Sequence, residues 1–142
     1  MTLYTHSEEE TVRAAEEFAK NLNAGDVILY SGEMGAGKTH FTKGIARYLG
    51  IADVVGSPTF ALVNEYTDGR LPLFHFDLFR INSFDDLYAI GFFDYLNRGG
   101  ILAVEWSENI PGLADGLERV WEIELLKRGE NDREIRITNL ST

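Results

Sequence analysis

Residues 32–39 read Gly-Glu-Met-Gly-Ala-Gly-Lys-Thr and fit the pattern G-x-x-x-x-G-K-[ST]. Glycines let a chain curl so that successive N–H groups point inward, and such a nest takes up phosphate oxygens. Lys38 would reach the terminal phosphates as a point charge, and the Thr39 hydroxyl would ligate magnesium. Two acids elsewhere suit the other half of such a site. Asp77 follows the apolar run Leu73-Phe74-His75-Phe76, and Glu105 follows Ile101-Leu102-Ala103-Val104. An acid at the end of a buried strand lies where α/β folds bind ligands. One of the two would hold magnesium, directly or through water, and the other would orient or activate the attacking water.

These residues need elements to position them. Residues 26–31, Asp-Val-Ile-Leu-Tyr-Ser, are an apolar run that reads as a buried strand ahead of the loop. Residues 41–49 read as a helix that begins near Lys38 and ends at Gly50. Strand, glycine loop and helix is the context the motif requires, and the helix adds its positive N-terminal dipole. Ser7 and Glu10 form a capping-box pattern ahead of Val12, Ala15, Phe18, Ala19 and Leu22, so an amphipathic helix is expected over residues 8–23. Residues 60–66 and 71–76 flank Asp68-Gly69, a hairpin signal. Ser83 caps a short helix expected over 84–90, followed by another over 92–97. After Gly99-Gly100, residues 101–104 form a second buried strand. Residues 120–125 and 134–138 read as paired strands across the turn at 128–132. This order predicts an α/β domain with a mixed sheet, a parallel core and antiparallel hairpins, as a single domain over residues 1–142.

Composition narrows the partners. A chain of 142 residues with 44% hydrophobic content can bury a real core. Cysteine is absent, which excludes disulfides, thiolate metal sites and cysteine nucleophiles. No apolar run approaches the length of a membrane span, and the opening residues lack a basic and apolar signal segment. A cytoplasmic protein with no membrane partner is the expectation. The net charge of −10 argues against a domain that grips nucleic acid by itself. Charge is uneven, however. No Asp or Glu falls between Glu33 and Asp53, whereas Lys38, His40, Lys43 and Arg47 do. That suits a polyphosphate ligand, although Lys43 and Arg47, four apart, equally suit a solvated helix face.

Other residues carry weaker readings. Ser57-Pro58-Thr59-Phe60 is either a γ-phosphate-sensing loop with Thr59 as its hydroxyl or an ordinary turn entering a strand. His75 alternates with Phe74 and Phe76, so it faces the other side of the sheet and reads as a structural, hydrogen-bonded histidine. Trp106 stacks near the site or covers the core.

Together, residues 32–39, Ser57-Pro58-Thr59-Phe60, His75-Phe76-Asp77-Leu78-Phe79-Arg80 and Val104-Glu105-Trp106 resemble the TsaE (YjeE) family, from about Thr5 to Ile137. The resemblance implies a P-loop NTPase fold in three layers and an ATPase that uses ATP and Mg2+. It implies that Gly35, Ala36, Gly37, Lys38, Thr39 and His40 wrap the phosphates. Thr39 and Glu105 would hold the metal, Asp77 would be essential for hydrolysis, and Trp106 would stand beside the site. Thr59 would belong to a switch-like loop, and base contacts would fall around Glu8 and Arg133. The implied role is support of threonylcarbamoyladenosine formation in tRNA with TsaD and TsaB, the tRNA being met only through those partners. Two departures stand out. His40 occupies a position where the family often has Ser or Thr, and Phe79 one where it often has Tyr. A nucleotide-gated binding module and a small kinase are the competing readings, although the chain has little room for a kinase's lid and acceptor pocket.

Overall fold

The computed structural model describes residues 1–33, 35–52, 55–56 and 62–141. Seven strands form one sheet: β1 (Thr2–Thr5), β2 (Val27–Ser31), β3 (Val63–Tyr66), β4 (Leu73–Asp77), β5 (Ile101–Glu105), β6 (Val120–Lys127) and β7 (Arg133–Asn139). Their spatial order is β1-β7-β6-β2-β5-β4-β3. Strands β6, β2, β5 and β4 run parallel to one another, while β1, β7 and β3 are antiparallel additions. This is the mixed sheet with a parallel core that the element order predicts.

Two helical layers cover the sheet. Helices α1 (Glu8–Ala19) and α2 (Lys38–Leu49) lie on one face, where Phe18, Phe41 and Ile45 meet Ile28, Tyr30, Ala103 and Leu125. The short helices α3 (Phe84–Ala89) and α4 (Phe92–Tyr95) lie on the other, where Leu87 and Phe92 meet Phe74, Phe76, Leu102 and Val104. Covering both faces explains why the central strands read as unbroken apolar runs rather than alternating ones.

The three central strands β2, β4 and β5 share one burial pattern. Each buries four residues and lets the fifth emerge: Ser31, Asp77 and Glu105. Register places Asp77 directly opposite Glu105. The apolar runs therefore end together, at one edge of the sheet, beside the loop that follows β2.

Several boundaries differ from the sequence reading for local reasons. Helix α1 stops at Ala19 rather than residue 23, because Lys20, Asn21 and Leu22 donate to carbonyls three residues back and tighten the last turn. Leu22 still reaches the core. The second short helix closes at Tyr95 rather than residue 97 in the same way, through Asn97 and Arg98. Ser7 caps α1 as expected, its Oγ accepting from the Glu10 N–H at 3.1 Å. The Glu10 carboxylate, however, accepts from His6 N–H, not from Ser7. Strand β1 escapes the sequence reading altogether. Its four residues carry no periodic signal, and its hydrogen bonds come from β7, more than a hundred residues away. No helix among the described residues is long and apolar enough to cross a membrane.

Candidate nucleotide site

The glycine loop leaves β2 tight against β6. Gly32 has φ +117°, and a Cβ there would collide with the Leu125 carbonyl oxygen, so only glycine starts this turn. The loop feeds α2, whose first residue is Lys38. A buried chain of hydroxyls anchors that first turn: Tyr30 OH lies 2.8 Å from Thr42 Oγ1, which donates to the Lys38 carbonyl at 2.9 Å. Burial pushes the Tyr30 phenol far above its ordinary range, and the charge of Glu105 adds to that, against the opposing Thr42 hydrogen bond. Tyr30 is thus a fixed neutral donor beneath the loop.

Arg133, on β7, braces the loop from the other side. Its Nε donates to Ala36 O at 3.1 Å and its Nη2 to Gly35 O at 3.3 Å, while Nη1 reaches the carbonyls of Gly129, Glu130 and Asp132. One guanidinium therefore ties the phosphate loop to the β6–β7 turn. The resemblance implies base contacts around Arg133; here its donors go to backbone carbonyls of the loop and of the β6–β7 turn.

A cleft of about 320 Å³ gathers Gly35, Gly37, Lys38, Thr39, His40, Asp77, Glu105 and Trp106. The loop and both strand-end acids are thus brought to one place. Ala36 is the exception among the phosphate-loop residues. Its methyl is fully buried in the core, and its N–H donates to Glu33 O at 3.3 Å. Lys38 is only 7% exposed and forms no ion pair among the described residues. Its Nζ lies 5.5 Å from the Trp106 ring centroid. An ammonium that opens onto a cleft with no counter-ion among the described residues suits an anionic ligand. His40 is half-buried, with Nε2 3.3 Å from Glu8 Oε2. Glu8, His40 and Arg133 line a smaller adjoining cleft of about 100 Å³, together with Thr11 and Asn131. Arg47 is spent on α1, pairing with Glu9 and Glu16, which bears out the solvated-face reading for that residue.

The acids are held differently from the loop. Asp77 Oδ1 accepts from Phe79 N–H at 2.9 Å, a turn-forming contact that occupies one oxygen and leaves the other without a partner among the described residues. Glu105 Oε2 lies 2.6 Å from His75 Nε2. Sequence foresaw a buried, hydrogen-bonded His75 on the face opposite Phe74 and Phe76, and the structure supplies the partner. The strand exits are laced together: Leu78 N–H donates to Glu105 O, and Asn109 Nδ2 donates to Leu78 O and Phe79 O. Asn109 N–H in turn donates to Trp106 O. Trp106 has φ 64°, an uncommon left-handed conformation for a tryptophan, and its ring meets Phe79 edge-on at 5.0 Å. Ser57-Pro58-Thr59-Phe60 and Met34 lie outside the described residues.

Sequence reasoning passed over Asn109 and underrated Arg133 as a support. Asn109 sits in an irregular turn with no motif, so no local signal marks it. His75 carried one usable signal: two residues before Asp77 on a strand, it must share Asp77's face.

A Mg2+ ion suits the donors here. Thr39 and Glu105 offer hard oxygens, and no cluster of three or more His, Asp or Glu exists among the described residues. Magnesium is commonly held by one or two protein oxygens plus phosphates and water, rather than by an all-protein cage.

The layered sheet and the glycine loop between β2 and α2 define a P-loop α/β fold. A model of the family described as threonylcarbamoyl adenosine biosynthesis protein TsaE matches residues 5–135. The tRNA threonylcarbamoyladenosine biosynthesis protein TsaE of Bacillus subtilis is 40% identical over 138 residues, covering 94% of this chain and 82% of that protein. Its counterpart in Aquifex aeolicus is 43% identical over 133 residues, covering 92% and 90%. The crystal structure of Bacillus subtilis YdiB matches with a TM-score of 0.81 at 34% identity, over 99% of this chain and 86% of that one. The chain belongs to the TsaE family.

Proposed function

We propose that this chain binds ATP with Mg2+ and hydrolyses it, and that turnover supports threonylcarbamoyladenosine formation in tRNA through a TsaD–TsaB transferase complex in the cytoplasm. The observation that carries the reading is Lys38, little exposed and without an ion pair among the described residues, in one cleft with Asp77 and Glu105. In this reading Gly35, Gly37, Lys38, Thr39 and His40 take the phosphates, with Ala36 packed behind them. Thr39 and Glu105 hold the metal, which neutralises charge on the phosphates. Asp77 orients the attacking water.

No arginine lines the cleft among the described residues. Arg98 is paired with Glu65 and stacked on Phe74 and Tyr95, and Arg133 is spent on carbonyls. Hydrolysis by the isolated chain is therefore slow, and an arginine from a partner typically speeds such reactions by about 10³-fold or more. The test is ATP turnover with and without TsaD and TsaB. Acceleration by the partners supports the reading; fast turnover by the isolated chain, unchanged by partners, contradicts it.

One observation favours a second reading, a nucleotide-gated binding module with incidental hydrolysis. Asp77 already has a structural task, its bond to Phe79 N–H. If Asp77→Ala left the modification of tRNA intact, the module reading would stand.

A further inference from the structure

His75 is fully buried on β4, and among the described residues its only polar side-chain contact is the 2.6 Å bond between its Nε2 and Glu105 Oε2. Its other ring nitrogen, Nδ1, is buried with no hydrogen-bond partner among the described residues. That asymmetry decides the tautomer. A proton on Nδ1 would be a buried donor with nothing to accept it, which folded proteins avoid. The proton therefore sits on Nε2 and points at the carboxylate. A proton placed instead on Glu105 would force the ring's own N–H onto Nδ1, with the same penalty.

The pair also has a fixed geometry. His75 and Asp77 lie two residues apart on β4 and share a face, and Asp77 stands opposite Glu105 in the register. The imidazole is locked by the core around it, whereas the Glu105 side chain, 12% exposed, stands where the buried run ends. The fully buried partner thus restrains the one that opens toward the cleft.

We propose that His75 is a positioning residue: as the Nε2–H tautomer it holds Glu105 Oε2, and so fixes Oε1 as the oxygen presented to the metal. The inference rests on the reading of Glu105 as a metal holder. Supports of this kind orient ligating carboxylates, and removing one typically weakens metal binding or activity by about 10- to 100-fold.

The test compares Mn2+ affinity, in the presence of ADP, for the native protein and for His75→Leu, His75→Gln and Glu105→Ala. The glutamine amide can place a donor near the position of Nε2. Expected results are that His75→Leu weakens Mn2+ binding by about 10-fold or more, that His75→Gln restores most of it, and that metal-free ADP affinity is unchanged in both. Unchanged Mn2+ affinity in His75→Leu, with Glu105→Ala weakened, overturns the role of His75 alone. Unchanged affinity in Glu105→Ala overturns the metal-holding role of Glu105 and this inference with it. Because replacing a fully buried histidine risks unfolding the chain, 15N spectroscopy of the native, metal-free imidazole supplies a second arm. It should find the proton on Nε2 and Nδ1 bare; a proton on Nδ1 overturns the proposal.

Discussion

The two sides of the cleft are built on different principles. The phosphate loop is a local object: strand, six loop residues and helix, all contiguous, with Lys38 delivered by the helix that follows. It is clamped by backbone against backbone at Gly32, by the buried Tyr30–Thr42 pair below and by Arg133 from across the sheet. The acid side is a non-local object. Asp77 and Glu105 come from separate strands and meet only because β4 and β5 lie side by side. Beyond the strand ladder, their restraints are a few hydrogen bonds, most of them involving side chains: His75 to Glu105, Asn109 to the exits of β4, and the Phe79 N–H to Asp77. A site of this kind has one half set by packing and one half set by a few replaceable contacts. Changes at the loop should abolish nucleotide binding or folding, while changes at Asp77 and Asn109 should spare both and alter chemistry.

The largest effect should come from the loop's charge. Lys38→Ala removes charge-assisted bonds to phosphate, each contributing about 1.5–3 kcal/mol, so ATP affinity should fall by roughly 10- to 100-fold or more by calorimetry. Intact affinity would break the contrast at once. Next is the packing beneath the loop. Helices α1 and α2 touch at Gly44, where a Cβ would run into the Val12 carbonyl and the Ala15 methyl. Gly44→Ala should destabilise the fold by about 1–3 kcal/mol through overpacking, in spite of alanine's better helix propensity. Chemical denaturation measures this, and a stabilised variant would show that the helices have room to separate.

Smaller effects belong to the acid side. Asn109→Ala loses two bonds to the β4 exit, worth about 1 kcal/mol each at most in stability. Its signature should be reduced turnover with ATP affinity unchanged, because the loop does not depend on it. Equal loss of both would mean that the two sides are one mechanical unit.

The smallest effect tests the periphery. Asp132 hydrogen-bonds His6 and raises its pKa above the ordinary histidine value, tying the end of β1 to the β6–β7 turn. A raised folded pKa means the contribution is complete below about pH 6.5, the unfolded value, and fades as pH rises through the folded one. Both groups are well exposed, so the change should be slight. Thermal melts from pH 5 to 9 should show this decline in the native protein and not in His6→Gln.

The same contrast explains what could be read from sequence. The phosphate loop was legible because its residues are neighbours in the chain and each type answers a local geometric need. The strand-end acids were legible at one remove: an apolar run of four followed by an acid marks a strand leaving the core, and β4 and β5 both obey that pattern. Their supports were not. Arg133 reaches Ala36 across 97 positions and His75 reaches Glu105 across 30. Asn109 sits in an irregular turn that no periodicity announces. Strand β1 was invisible for the same reason, since four residues without alternation become a strand only when β7 lends its edge. Helix α1 was read correctly in its Ser7 cap and its buried face, missed in the reciprocal Glu10 contact, which goes to His6, and overrun by a few residues where the last turn tightens.

The central claim is that the loop binds nucleotide while the strand-end acids make it react. It is tested most directly by measuring ATP binding and single-turnover hydrolysis on the same samples of native and Asp77→Ala protein, with TsaD and TsaB present. The account predicts that Asp77→Ala binds ATP within a few-fold of the native protein and hydrolyses it at least about 100-fold more slowly, the scale on which a positioned acid–base group contributes. Hydrolysis at the native rate, or affinity lost together with turnover, would contradict it.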